Sequence, residues 1–357
     1  MTGQTENGDS DKIELLCVGN AIVDVFSPAD SAWLDGMGIT EAVQHISREE
    51  ALRISDGLRY NAGGDMVLAS GGTAANVAKI ASLLNTRTAF AGSVGKDDLG
   101  VLFGEELKKA GVVPFLTSGA GETGVCFVFD MDGETRIAAS LGAAAEFGEA
   151  DIPEELVAKA DAVVLDGYVL DRRPLVKRLL KLASNHGIPI ALDAASVFQI
   201  REKTEAILHY SRNYPLIVFM NADESIVFYN TIRKSNSVDE SMSEREKEAF
   251  ILREICPVLK FMTEGDIFPV IVIKLGGRGA VVLAGGNIHR VGTFAIIPRN
   301  TVGAGDAFCA AFLSAWIRGK PIRECASLGN KVAWEVLMVP GTNIEREKLA
   351  SFSKQLR

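Results

Sequence analysis

The sequence predicts an α/β fold: a doubly wound, mostly parallel sheet with helices on both faces and a small β lid. Two observations carry this. Short apolar runs recur along the chain, and several end in a polar residue or glycine, as in VVLDG, IALDA and VFMNADE. Helical patterns separate many of these runs, and strands alternating with helices imply a parallel sheet. In such sheets ligands bind beyond the carboxyl ends of the strands, so the polar strand ends are where chemistry is to be sought.

The elements follow in order. Residues 1–12 are polar and acidic, lack the apolar core of a signal peptide, and are expected to be disordered. Residues 13–19 (IELLCVG) read as a buried strand that ends in glycine. The same pattern returns at 88–91, 162–165, 188–192, 216–220, 270–275 and 279–283. Helices are expected at 73–84, 99–110 and 174–185. Residues 21–60 break the alternation, and residues 123–140 alternate like antiparallel strands around an Asp132-Gly133 turn. These two segments are assigned to a small lid over the strand ends, and length alone allows one large α/β domain or two smaller ones. The charged stretch 230–248 reads as a solvated loop running into a helix, and no internal repeat is present.

Bulk properties narrow the function classes. A 47% hydrophobic composition supports a large core. A net charge of −9 disfavours generic nucleic-acid or membrane-surface binding. No stretch of about 18 uninterrupted apolar residues occurs, so no membrane span is expected. Cys17, Cys126, Cys256, Cys309 and Cys325 form no C-x-x-C pair, which points to a reducing, cytoplasmic setting.

Residues 300–308 read NTVGAGDAF and open a helix whose stop is marked by Gly319 and Pro321. Gly303 and Gly305 allow the backbone to approach a ligand closely. The first-turn amides of Gly303, Ala304, Gly305 and Asp306 lack intrahelical partners, and the helix dipole adds positive potential, which makes an anion site. A carboxylate at the same place makes sense if Asp306 takes a proton from an attacking hydroxyl while the amides stabilise a phosphoryl group in transit. Taken alone, Gly-x-Gly-Asp is equally an aspartate cap after a glycine turn. Phe308 stands where a dinucleotide fingerprint needs its third glycine, and no Walker pattern is present.

With GGTAANVAKIASLLNTRTAFAGSVGKDDLG at 71–100, the chain resembles the PfkB (ribokinase-like) family of carbohydrate and nucleoside kinases. One family signature is a double glycine opening a helix with an asparagine four residues on; the other is DTxGAGDAF. The resemblance runs from about 13 to about 342 and implies ATP and Mg²⁺ as cofactors. It implies Asp306 as catalytic base, and Gly303, Ala304 and Gly305 as the anion hole. Asp24 would accept hydrogen bonds from substrate hydroxyls, and Gly71, Gly72 and Asn76 would form the sugar-contacting loop. Asn221 and Glu224 match an N-x-x-E motif tied to Mg²⁺ and phosphate through water, a role suited to a hard cation that keeps most of its waters. Without the family, NADE is an ordinary helix start. The run Lys274-Leu275-Gly276-Gly277-Arg278-Gly279 matches the nucleotide loop, though by itself it is a glycine-rich hairpin turn. Asn330 would line the adenine pocket. Arg136 would neutralise phosphate from the lid, with an exposed surface arginine as the equal alternative. Asn300 stands where relatives carry an aspartate of a monovalent-cation site, so K⁺ activation is in doubt.

The opening GNAIVDVFSPADSAWLDGMGI resembles the adenosine-kinase-like branch. There Asn20 would sit near a nucleoside base and Asp24 near the ribose. A ribose-containing nucleoside is the expected acceptor, with a simple sugar such as fructose or ribose as runner-up. A non-catalytic sugar or nucleotide sensor is the remote alternative. The partners implied are a small-molecule sugar or nucleoside, with no nucleic acid or membrane, and a monomer or homodimer.

Overall fold

The computed structural model describes residues 12–41, 43–61, 66–131, 134–235, 242–265, 267–294, 302–339 and 344–356. Within them, the apolar runs form strands β1 (Ile13–Val18), β2 (Ile22–Pro28), β3 (Val43–His45), β4 (Val67–Gly71), β5 (Thr88–Val94), β6 (Val113–Ser118) and β7 (Gly124–Met131). The second half adds β8 (Glu134–Ser140), β9 (Ala160–Asp166), β10 (Ile190–Asp193), β11 (Leu216–Asn221), β12 (Val270–Lys274), β13 (Ala280–Ala284) and β14 (Asn287–Val291).

Among the described residues, nine strands form one sheet in the order β14-β13-β12-β11-β10-β9-β1-β5-β6. All pairings from β12 through to β6 are parallel, and β13 and β14 add an antiparallel edge. The order departs in both directions from β1, the switch point at which doubly wound sheets open a crevice. Burial on both faces explains the unbroken apolar runs: Leu216–Met220 of β11 is buried throughout. Alternate β1 side chains enter opposite cores, Leu15 and Cys17 on one face, Leu16 and Val18 on the other.

A second, five-stranded sheet has the order β3-β8-β7-β2-β4. Both irregular segments supply strands to it, as the alternation suggested. Its outer face carries its own core, in which Val25, Phe127 and Phe129 pack on Leu34 and Ile54 from helices Ser31–Met37 and Arg48–Asn61. The opposite face presents Asp24 and Cys126, paired in register on β2 and β7.

Several details differ from the sequence reading. The small sheet also draws β4 from residues 67–71, whose short run with alanine, serine and glycine carries little strand signal. Strands β6 and β14 were not anticipated either; both are only partly buried and lack a strong apolar pattern. The 230–248 stretch starts as the end of helix Ala222–Arg233, closed by Lys234 at φ 52°, and ends in helix Glu244–Phe250. The Asp132-Gly133 turn, Asn300, residues 236–241 and residues 1–11 lie outside the described residues.

Candidate active site

Two helix N-termini converge on one carboxylate. Helix Ala304–Trp316 is entered through Gly303 at φ 79° with no side-chain cap, so its first amides are left for a ligand. Asp306, half-buried in that first turn, accepts a 2.9 Å hydrogen bond from Asn76 Nδ2. Asn76 stands on helix Thr73–Leu83, entered through Gly72 at φ 87°. Glycine is needed at Gly72 twice over, since a Cβ there would also lie 2.4 Å from the Asn20 carbonyl. Burial pushes the Asp306 carboxyl up to about 7, with Asp193 adding to the rise while Asn76 and Lys274 oppose it.

Facing this turn is a row of polar strand ends. Asp166 pairs in register with Asp193, and Asn221 with Lys274; Asp193 lies opposite Phe219, so the second pair stands two residues farther along the sheet. Lys274 Nζ bonds Asp193 Oδ2 at 2.8 Å. It packs so closely on the anion turn that a Cβ at Gly305 would sit 3.2 Å from it. Burial works against the Lys274 ammonium, but the Asp193 and Glu224 carboxylates outweigh it and hold its pKa above the ordinary value. Asp193 Oδ1 accepts the amide of Ala195 at 3.0 Å, and Ala195 adopts φ 67°, a strained conformation for alanine directly beside the site.

Asn221 and Glu224 cap their helix reciprocally. Glu224 accepts from Asn221 N at 2.7 Å and from its Nδ2 at 2.8 Å, while Asn221 Oδ1 accepts from Glu224 N at 2.8 Å. Glu224 is buried, and burial pushes it up to about 7 against the pull of Lys274. Among the described residues no group of three or more His, Cys, Asp or Glu is arranged to hold a metal. One buried carboxylate with one amide fits a divalent ion that keeps its waters rather than a protein cage.

On the other side of the anion turn lies a cavity of about 370 Å³, lined among others by Lys274, Gly276, Gly279, Phe308, Asn330 and Trp334. Gly276 and Gly279 have positive φ, and Leu275 N closes the loop on Gly279 O at 2.7 Å. Asn330 Nδ2 donates to Gly292 O at 3.1 Å, which fixes its place in the wall.

The small sheet supplies the opposite boundary. Asp24 is buried; burial raises its carboxyl to about 6, with Lys79 opposing. Gly71 touches it so closely that a Cβ would fall 2.1 Å from Oδ2. Buried Asn20 accepts through Oδ1 from the Arg172 guanidinium, which also donates to Ala144 O at 2.7 Å.

The structure thus brings Asp306, Gly303, Ala304, Gly305, Asn76, Lys274, Asn221 and Glu224 around one crevice, with Asn20, Asp24, Gly71 and Gly72 on its small-sheet side. It does not bring Arg136 there. That side chain donates to Asp35 Oδ1 at 2.6 Å and to Ile39 O at 2.7 Å. Its register partner is Phe129, whose ring is in the small-sheet core. Arg136 therefore points to the helix-covered face, away from Asp24. Asp166, Asp193, Arg172 and Lys79 were not singled out from sequence. For the two aspartates the polar ends of VVLDG and IALDA were the available signal; for the other two there was none.

The profile of the pfkB family of carbohydrate kinases matches residues 37–349. The chain is 24% identical over 349 residues to an adenosine kinase of Dictyostelium discoideum, covering 93% of this chain and 96% of that protein. It is 28% identical over 269 residues to an ATP-dependent ribose-1-phosphate kinase of Halopiger xanaduensis, covering 73% and 77%. Among solved structures, the adenosine kinase of Sinorhizobium meliloti superposes with a TM-score of 0.80 at 27% identity, covering 97% of this chain and 100% of that one. Among the described residues no helix is long and apolar enough to cross a membrane.

Proposed function

Since the chain belongs to the pfkB family of carbohydrate kinases, an ATP-dependent phosphotransferase acting on a hydroxyl, we propose that its acceptor is a ribose-containing nucleoside and that Asp306 is the base. The observation that carries this reading is the position of Asp306. It lies in the uncapped first turn after Gly303, beside the 370 Å³ cavity, and it is bonded to Asn76, whose helix opens at the Gly71–Gly72 turn that presses on Asp24.

ATP would lie with its base in the Asn330 and Trp334 cavity and its phosphates along Gly276–Gly279 toward Lys274 and the Gly303–Gly305 amides. Those amides, preorganised by the glycine turn, stabilise the charge on the transferring group. The acceptor hydroxyl gives its proton to Asp306, whose carboxyl is tuned by burial to about 7, where a base both exists ionised and binds a proton well. Asn76 orients that carboxylate. Asp24 accepts hydrogen bonds from the other acceptor hydroxyls, and Asn20 borders the acceptor's base. Glu224 and Asn221 would hold Mg²⁺ through water, and the ion would supply charge neutralisation at the phosphates.

Residues 13–342 are read as one kinase unit, with 21–60 and 123–140 forming its lid; the separate five-stranded sheet, to which both segments give strands, supports this division. The free cysteines suit a reducing compartment such as the cytosol. Helices over the small sheet's outer face favour a monomer, or a dimer formed elsewhere.

The test is ATP turnover against a panel of nucleosides, ribose phosphates, ribose and fructose. Highest kcat/KM is expected with a nucleoside. Turnover confined to free sugars would move the assignment to a simple sugar kinase, and no turnover with any acceptor would favour a sensor.

A further inference from the structure

Strand β4 is an edge of the small sheet, so one side of its backbone has no neighbouring strand. At Ser70, which is fully buried, exposed edge groups would be orphaned donors and acceptors. Two side chains of opposite charge take that place. The Ser70 amide donates to the Glu106 carboxylate, from helix Asp98–Ala110. The Ser70 carbonyl accepts from the Lys79 ammonium, which also bonds Ser70 Oγ at 3.0 Å. The next two residues are Gly71, pressed on the Asp24 carboxylate, and Gly72, pressed on the Asn20 carbonyl.

We propose that Lys79 and Glu106 are positioning residues for the acceptor. They grip both sides of the Ser70 peptide, and thereby hold the Gly71–Gly72 turn and the Asp24 carboxylate in the geometry that receives acceptor hydroxyls. The proposal rests on the reading of Asp24 as the acceptor anchor.

Three observations support it. Lys79 is buried, one helical turn beyond Asn76, so the helix that orients Asp306 also fixes the Gly71–Gly72 turn. Its charge lies close enough to Asp24 to counter the burial that drives that carboxyl toward its neutral form. Neither Lys79 nor Glu106 borders the cavity around Asn330, so the grip bears on the acceptor side of the crevice rather than on that cavity.

The test is steady-state kinetics on Lys79→Met, Glu106→Leu and Glu106→Gln, each with Asp24→Asn as the partner of a double-mutant cycle. Lys79→Met and Glu106→Leu are expected to raise the acceptor KM by about 10- to 100-fold, the usual effect of losing a buried charged hydrogen bond. The ATP KM should change by less than about threefold. Glu106→Gln keeps an acceptor for the Ser70 amide and should lose less than Glu106→Leu. In the cycle, Lys79→Met should add little once Asp24 has been changed. An unchanged acceptor KM, or equal rises in both KM values, would overturn the proposal; the second is the signature of general loosening. If Lys79→Met does not fold, the Glu106 pair decides. Asp24→Asn alone with an unchanged acceptor KM would instead sink the anchor reading, whatever the Lys79 result.

Discussion

Replacing Asp306 by asparagine should cripple the reaction and stabilise the protein at the same time. The amide keeps an oxygen to accept from Asn76, so the local geometry survives while the base is lost. Turnover should fall by roughly 10²–10⁴-fold, the range for a general base. The stability effect comes from burial. The carboxyl sits at about 7 against an ordinary value of 3.8, a difference worth roughly 4 kcal/mol in ionising it inside the folded chain at pH 8. Asp193 shares part of that cost, so the variant should gain about 2–4 kcal/mol, or roughly 3–5 °C in Tm for a chain of this length. The sign follows from a carboxyl raised in the folded state. Its favourable contribution is complete below the unfolded value and is lost as pH rises through 7. The variant's advantage should therefore be largest above pH 7 and fade toward pH 4. Calorimetry at pH 8 and pH 5, beside turnover at saturating substrates, reads both effects. Near-normal turnover removes Asp306 from the chemistry. A Tm gain that is absent at pH 8, or equal at the two pH values, refutes the burial argument.

Wild-type kcat/KM should fall below pH 7, since the base must be ionised; a profile flat from pH 5.5 to 8 would contradict the raised carboxyl. Asp24→Ala should lower kcat/KM by about 1.5–3 kcal/mol for each acceptor hydroxyl it leaves unpaired, and an unchanged value for every acceptor would remove the carboxylate from the pocket. Asn300→Asp should increase activation by K⁺, because a carboxylate attracts a cation far better than an amide; strong K⁺ activation of the unmodified enzyme would count against this. Acceptor binding should protect the amides of Gly124–Met131 and Glu134–Ser140 from hydrogen exchange, and ATP hydrolysis without acceptor should be very low. Unchanged exchange together with rapid acceptor-free hydrolysis would rule out closure over the site.

The parallel sheet was legible because its strands are buried on both faces, which leaves unbroken apolar runs such as Leu216–Met220 of β11. The anion turn was legible because a glycine pair followed by an acid at a helix start is a local pattern. Arg136 shows where such reading stops. The alternation of residues 123–140 revealed strands, but which face looks inward depends on the cover supplied by helices far along the chain. Asp166 and Asp193 were hidden differently. Each also accepts a nearby backbone amide, from Tyr168 and Ala195, so a lone aspartate after an apolar run looks like a turn residue. Lys79 lies in a mostly apolar helix, and its partner at Ser70 is set by tertiary packing alone.

The separate core of the small sheet divides the consequences of sequence variation. Leu34, Ile54 and Phe127 pack among themselves and the covering helices, apart from the two large cores around the parallel sheet. Truncating any of them loosens the scaffold that carries Asp24 but leaves the Asn330 cavity on its own foundation. Damaging substitutions should therefore sort into two kinetic phenotypes by the core they strike. Those beneath the small sheet would act as defects of acceptor selection in an enzyme that still holds nucleotide, and a deep substitution scan scored separately for the two ligands would draw that boundary residue by residue.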